Sequence, residues 1–337
     1  MTVTICAKHD IQKTDDNDNE TCCTEKVCGH HDHTESLLED LDCKNEKSDD
    51  DSKFSYEKCR RLLTYEEAPE YIKHNIYILK GYRGILDTNM CIESVMWWTN
   101  ETINIWSHIF GLALFVALTI QDLIFLRIHA SISDKLIVGA VLICFQTCMF
   151  LSSLYHTFNC RSEKDCDLFL AYDLFGIALS LLAIYTSGIY YAFWCNQDLQ
   201  YFYLITVTLI FMFAMILQVP SFNVNMYVKM SVFVAWAAYG VIPTLHWSYL
   251  MGGFDNPIVA LLLPRVLGMY GISGTAFFIY ITKIPERFSA GRFDFIGHSH
   301  QWWHFFVVGA LYYWHNTGMM YVEYRLNHAC SNHMRLP

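Results

Sequence analysis

His300 and His304 close the run His298-Ser299-His300-Gln301-Trp302-Trp303-His304. On a helix, i, i+4 spacing puts both imidazoles on one face, where they can grip a single ion. Standing alone, a His-x3-His pair is a weak sign of a metal. Three further clusters change its weight: Glu101, Asn104 and His108 at i, i+3, i+7; Ser152 and His156 one turn apart; and Asp173 inside the otherwise apolar Ala171-Tyr172-Asp173-Leu174-Phe175. His156 offers a third nitrogen. Three imidazoles leave one tetrahedral position for water, the pattern of a catalytic rather than a closed structural zinc site, although copper, nickel and iron also accept imidazole. Zinc can bring the pKa of its water down to about 7. Asp173 and Ser152 then suit catalytic support, Asp173 as proton acceptor and both as hydrogen-bond partners of the water or of a ligand imidazole. Glu101, Asn104 and His108 read as an interhelical hydrogen-bond network rather than ligands. His298, which points away from His300, reads as interfacial.

These clusters lie at the ends of apolar windows. Windows long enough to cross a hydrocarbon layer of ~30 Å fall at roughly 104 to 126, 136 to 158, 168 to 194, 201 to 219, 228 to 250, 258 to 281 and 300 to 324. None shows strand-like alternation, and backbone groups in lipid must be satisfied internally, so each should be helical. The expected fold is an all-α membrane protein, a seven-transmembrane helix bundle. Windows one, three and seven begin on the face at which window two ends, so all four clusters share one leaflet. Ionisable residues at membrane depth are costly and point to function. On that side lie Lys58, Arg60, Arg61, Lys73, Lys80, Arg83, Arg161, Lys164, Lys283, Arg287 and Arg292, against mainly Arg127, Lys135, Arg265 and Arg325 opposite. The positive-inside rule therefore puts the N-terminus in the cytosol and the C-terminus in a lumen or outside. Pro243 should kink the fifth helix, and Gly268, Gly271 and Gly274 should let a neighbour approach the sixth. His246 lies on the opposite leaflet and reads as structural, and Arg265 should snorkel or pair locally.

Charged residues make up only 17% of the 337-residue chain and apolar residues 53%, where a soluble domain carries about a quarter charged. The net charge of −10 resides mostly in the first 60 or so residues and gives no reason to expect nucleic-acid binding. The organisation expected is a disordered acidic tail over 1–55, an amphipathic cytosolic juxtamembrane region over 56–100, the membrane domain over 101–325 and a luminal tail over 326–337. No apolar signal segment opens the sequence, so targeting falls to the first membrane helix. The tail's Cys22, Cys23, Cys28, His30, His31 and His33 can bind metal, but their spacing matches no defined finger. The 13 cysteines are too scattered for a disulfide framework. Cys195 and Cys330, on the non-cytosolic side, are expected to pair.

Glu101-x2-Asn104-x3-His108, Ser152-x3-His156, Asp173 and the stretch from Pro285-Glu286-Arg287-Phe288 through Ser299-His300-Gln301-x2-His304 resemble the progestin and adipoQ receptor family. That family includes relatives of adiponectin receptors and haemolysin III-like proteins. The resemblance runs from about Tyr65 to Tyr324. It implies seven helices, a cytosolic N-terminus and a zinc held by His156, His300, His304 and a water, with Ser152 and Asp173 beside it. A finer resemblance, through Gly81-Tyr82-Arg83, Asn100 to His108, Arg161-Ser162-Glu163-Lys164 and Tyr239 to Trp247, is to a branch that traps Raf kinase at the Golgi membrane and damps MAP kinase signalling. The tail up to about Phe54 lies outside it. Two alternatives follow: a zinc-dependent, ceramidase-like hydrolase of a lipid amide, with Asp173 handling the proton, and a hormone receptor.

Overall fold

The computed structural model describes residues 57–129, 131–219, 222, 224–328 and 330. The expected acidic tail and its Cys/His tract lie outside the described residues.

The segment before the membrane helices, expected to be an amphipathic juxtamembrane region, contains a small hairpin as well as short helical turns. Leu63–Thr64 (β1) pairs antiparallel with Lys80–Tyr82 (β2), a small departure from the all-α expectation. A short helix, Thr88–Glu93 (α1), follows and is capped by the Asp87 carboxylate, which accepts from the Met90 amide. Gly81 has φ +91°, and a Cβ there would lie 3.1 Å from the Asn100 nitrogen. The left-handed conformation and the close approach together call for glycine. This segment is stitched to two distant parts of the chain. Gly81 O accepts from the Asn100 amide at 3.0 Å and Tyr77 O from the Gly291 amide at 3.0 Å; the Leu79 amide donates to Asp294 at 2.8 Å. Leu63, Ala68, Ile72, Ile78 and Tyr82 form a small core with Tyr155 and Cys166. The stretches leading into the first and last long helices are thereby drawn together.

The long helices are α2 (Thr102–His129), α3 (Ile132–Phe158), α4 (Glu163–Ala192), α5 (Gln197–Ile216), α6 (Met226–Tyr239), α7 (Val241–Leu250), α8 (Pro257–Thr282) and α9 (Ser299–Asn327). Local chemistry starts most of them. Ser131 and Asp134 form a reciprocal capping box on α3, Ser162, Asn196 and Asn225 cap α4, α5 and α6, and Asn256 caps α8 with Pro257 following. α6 and α7 form one span broken at Gly240, just before the Pro243 at which the sequence predicts a kink. Gly176 on α4 would carry a Cβ 2.9 Å from the Cys148 Cα on α3, so only glycine permits that approach. Gly268 likewise abuts the Tyr313 hydroxyl, but Cβ atoms on Gly271 and Gly274 would meet nothing within 4 Å. Of the three glycines expected to admit a neighbour, one does so.

Six helical spans among the described residues are long and apolar enough to cross a membrane. The seventh expected window corresponds to α9. It is 29 residues long and packs against α2, α3, α4 and α8, but its histidines, Gln301 and Asn316 lower its mean hydropathy. The expected disulfide joins Cys195 and Cys330. Arg265 lies over the Tyr313 ring at 5.8 Å, and His246 Nδ1 meets the Tyr203 hydroxyl at 2.8 Å, a local structural contact.

Candidate metal centre

Four elements meet at the site: the start of α2, the last turn of α3, the first half of α4 and the first turns of α9. The Nε2 atoms of His156 and His300 are 3.3 Å apart, as are those of His300 and His304. These three are also the one group of three or more His, Cys, Asp or Glu side chains among the described residues placed so that they could hold a metal ion, with His156 and His304 buried and His300 half-buried. Bonds of about 2.05 Å from a tetrahedral ion place its nitrogen ligands roughly 3.3 Å apart. Two of the three spacings therefore match a tetrahedral zinc or a similar divalent ion, and all three ligand nitrogens lie within 4.8 Å of one another.

His156 Nδ1 lies 2.8 Å from Glu101 Oε2. A carboxylate only accepts, so Nδ1 carries the hydrogen and Nε2 presents a lone pair inward. Burial pushes the Glu101 pKa up, but His156, Arg83 and the Asn104 amide outweigh it and hold the group well below the ordinary carboxylate range. His304 Nδ1 lies 3.2 Å from Ser107 Oγ, and that hydroxyl already donates to Asn104 O at 3.0 Å. Ser107 therefore accepts from His304, and Nε2 is again bare. Inward lone pairs at this spacing repel one another unless a cation or a proton stands between them.

The surrounding groups fix the ligand helices. Asn104 Nδ2 donates to Glu101 at 2.6 Å and Asn159 Nδ2 at 3.1 Å. Arg83, which the charge count treats as a surface cation, is 2% exposed. Its guanidinium donates to His156 O at 2.5 Å, Thr157 O at 3.0 Å, Asn159 Oδ1 at 2.8 Å and Ser94 Oγ at 2.8 Å. These are the carbonyls that the end of a helix leaves unpaired, and a cation there also complements the helix dipole. α9 has no side-chain cap of its own at His298. The buried Glu286 of the short turn Glu286–Phe288 supplies one, accepting from the Ser299 amide at 2.7 Å and from the Ser299 hydroxyl, while Asn75 holds the same carboxylate at 2.9 Å. The turn carrying His300 and His304 is thereby anchored.

The other expected residues fall into place around this core. Ser152 is buried on α3, and Asp173, half-buried on α4, hydrogen-bonds Ser152 within electrostatic reach of His156. His108 stacks on His304 with ring centroids 3.9 Å apart, and neither of its nitrogens is in good hydrogen-bond geometry with a partner. His298 is buried rather than interfacial and meets Asn100 O through Nε2 at 3.2 Å. A cavity of about 110 Å³ lies elsewhere, among Tyr185, Gly240, Thr244, Tyr270 and Trp314, and none of the histidines lines it.

Ser107, Arg83, Asn159 and Glu286 were not singled out from sequence as parts of the site. Ser107 was within reach, since it lies three residues after Asn104 and so on the same helix face. Arg83 stands in the apolar context Gly81-Tyr82-Arg83-Gly84-Ile85-Leu86, an unusual place for a surface charge.

An apolar bundle of helices with an inward histidine triad at one end defines a class of polytopic membrane protein. The chain belongs to the haemolysin-III related family, which matches residues 96–315. Progestin and adipoQ receptor family member 3 of Mus musculus and of Homo sapiens are each 42% identical to it over 280 residues, 81% of this chain and 90% of the relative. Heptahelical transmembrane protein 1 of Arabidopsis thaliana is 30% identical over 284 residues, 81% of this chain and 85% of the relative.

Proposed function

We propose that this protein is a seven-helix Golgi membrane protein with a cytosolic N-terminus that holds zinc between His156, His300 and His304, sequesters Raf kinase and thereby damps MAP kinase signalling. The zinc reading is carried by one observation, the 3.3 Å spacing of His300 Nε2 from the bare Nε2 atoms of His156 and His304. The seventh crossing is supported by α9. Its 29 residues extend about 43 Å at the helical rise, beyond the ~30 Å needed. Gln301, His304, His315 and Thr317 are buried while Trp302, Phe305 and Tyr312 are exposed, so its polar face meets the bundle and its aromatic face would meet lipid. Golgi residence and Raf binding rest on the finer sequence resemblance, which the 42% identity over 81% of the chain strengthens.

A second reading, a ceramidase-like hydrolase acting on a lipid amide, is favoured by Asp173 bonding Ser152, one helical turn before His156. Zinc, when bound, supplies Lewis acidity. Asp173 would accept a proton, Ser152 would hold that carboxylate, and Glu101 and Ser107 would keep the imidazoles in the ligating tautomer.

The test compares the purified wild type with His300→Ala/His304→Ala. Metal content is measured by mass spectrometry, ceramide hydrolysis in lipid, and Raf recruitment to the Golgi in cells. Wild type without bound metal ends the zinc reading. Recruitment lost with no hydrolysis in either protein supports a zinc that braces a scaffold. Hydrolysis lost with recruitment retained supports the lipid enzyme.

A further inference from the structure

A second chemically distinctive pair lies close to the triad and takes no part in it. Cys91, on α1, and Cys160, two residues beyond the end of α3, bring their sulfurs to 3.7 Å. Both are reduced in this structure, and they are 0% and 1% exposed within a small cluster completed by Leu86 and Trp97. A metal reading lacks a third ligand, because the triad is the one group of three or more metal-binding side chains among the described residues. Closing a disulfide requires the sulfurs to approach to about 2.05 Å, under about 1 Å of movement for each.

We propose that Cys91 and Cys160 form a redox-active dithiol, oxidised by a hydroperoxide to a disulfide that ties α1 to the end of the helix bearing His156. The two sulfurs are not equivalent. The Cys91 thiol donates to the Leu86 carbonyl at 3.7 Å, which keeps its proton in place, whereas the contact with Cys91 and then the Arg83 charge hold the Cys160 thiol below its ordinary range against the cost of burial. Cys160 is therefore the attacking thiolate. It attacks one peroxide oxygen, the O–O bond breaks, and with one proton the other oxygen leaves as water; Cys160 becomes a sulfenic acid. The Cys91 sulfur then attacks the Cys160 sulfur and displaces a second water. Two thiols and one hydrogen peroxide give one disulfide and two waters.

The bond would join two segments already sharing Arg83. Its guanidinium contacts Ser94 Oγ, and the same hydroxyl donates to Cys91 O at 2.7 Å; on the other side it holds His156 O and Thr157 O. The link would close a loop between positions 69 residues apart, which restricts the unfolded chain and should raise the melting temperature. This inference stands independently of zinc, Raf or lipid hydrolysis.

Full-length protein in lipid nanodiscs is treated with hydrogen peroxide, denatured, alkylated with N-ethylmaleimide and digested without reduction. The peptides carrying Cys91 and Cys160 should be recovered joined to each other, with dithiothreitol restoring both thiols and the melting temperature higher in the oxidised form. Recovery of both cysteines as alkylated thiols, as separate sulfinic acids, or joined to other cysteines overturns the proposal. This measurement on wild type needs no variant to fold. In Cys91→Ser, dimedone should trap a sulfenic acid at Cys160, whereas in Cys160→Ser the remaining Cys91 should stay reduced at the same peroxide dose. The reverse pattern overturns the assignment of Cys160 as the attacking thiol.

Discussion

The two ends of the helix bundle both bury ionisable side chains, and they use them in opposite ways. At the end away from the triad, His315 Nε2 meets Asp122 Oδ2 at 2.6 Å and the Tyr191 hydroxyl donates to Asp134 at 2.9 Å. Each contact pairs a donor with an acceptor and closes on itself, joining α2 to α9 and α3 to α4. At the triad end the contacts run outward from two of the rings, to Glu101 and Ser107, leaving the bare Nε2 atoms of His156 and His304 each 3.3 Å from His300 Nε2. A buried polar residue is therefore not in itself the mark of a site. Convergence of like atoms, two of them with the tautomer fixed from behind, is.

The largest expected effect separates the two ends outright. His300→Ala/His304→Ala should reduce bound zinc from one per chain to none detectable, since one remaining imidazole cannot hold the ion. Asp122→Ala should leave the metal content unchanged and instead lower stability by about 3 kcal/mol, because it strands His315 without its buried partner. Metal content and thermal unfolding of both variants in the same detergent decide the matter. Zinc lost from Asp122→Ala while its fold is retained would break the comparison.

Much of this contrast was legible in the sequence, for reasons that differ by residue. His156, His300 and His304 could be gathered because helix length fixes which window ends share a leaflet and the i, i+4 rule fixes which side chains share a face. Asp173 and Ser152 followed from the same geometry. What was not legible depends on chain segments without periodicity. The region from Leu63 to Tyr82 forms a small stitched hairpin through backbone bonds to Asn100 and Gly291, contacts that no hydropathy pattern carries. Arg83 was misplaced for the same reason: a charge count assumes exposure, whereas this guanidinium is buried against the carbonyls that end α3. The missing cap of α9 is supplied by Glu286, 13 residues earlier, beyond the reach of a local capping rule. Six spans rather than the expected seven are long and apolar enough to cross a membrane among the described residues, because the histidines lower the hydropathy of α9.

Within the triad end, the comparison sharpens into a gradient. Glu101→Gln keeps the shape of the side chain but replaces the carboxylate with a neutral amide, removing the charge that fixes the His156 tautomer. Its zinc affinity should fall about 10- to 100-fold, as losses of groups behind metal ligands generally do, while zinc at saturating concentration should still bind one per chain. Competition with a chelator of known affinity measures it. An unchanged affinity would mean that Glu101 serves only to join α2 to α3 through Asn159.

The smallest effect tests the subtlest deduction. Ser107 accepts from His304 only because its own hydrogen is committed to Asn104 O. Ser107→Ala removes that acceptor and leaves His304 Nδ1 unpaired in a buried place, at a cost of about 1 kcal/mol. That corresponds to roughly a fivefold weaker zinc affinity if the hydrogen bond matters chiefly in the metal-loaded form. The cost would appear as lost thermal stability of the metal-free protein if it matters equally without the ion. Measuring both on one preparation distinguishes them: a loss confined to zinc affinity supports a triad arranged for an ion, and a loss confined to the metal-free fold supports a triad that braces helices α2 and α9.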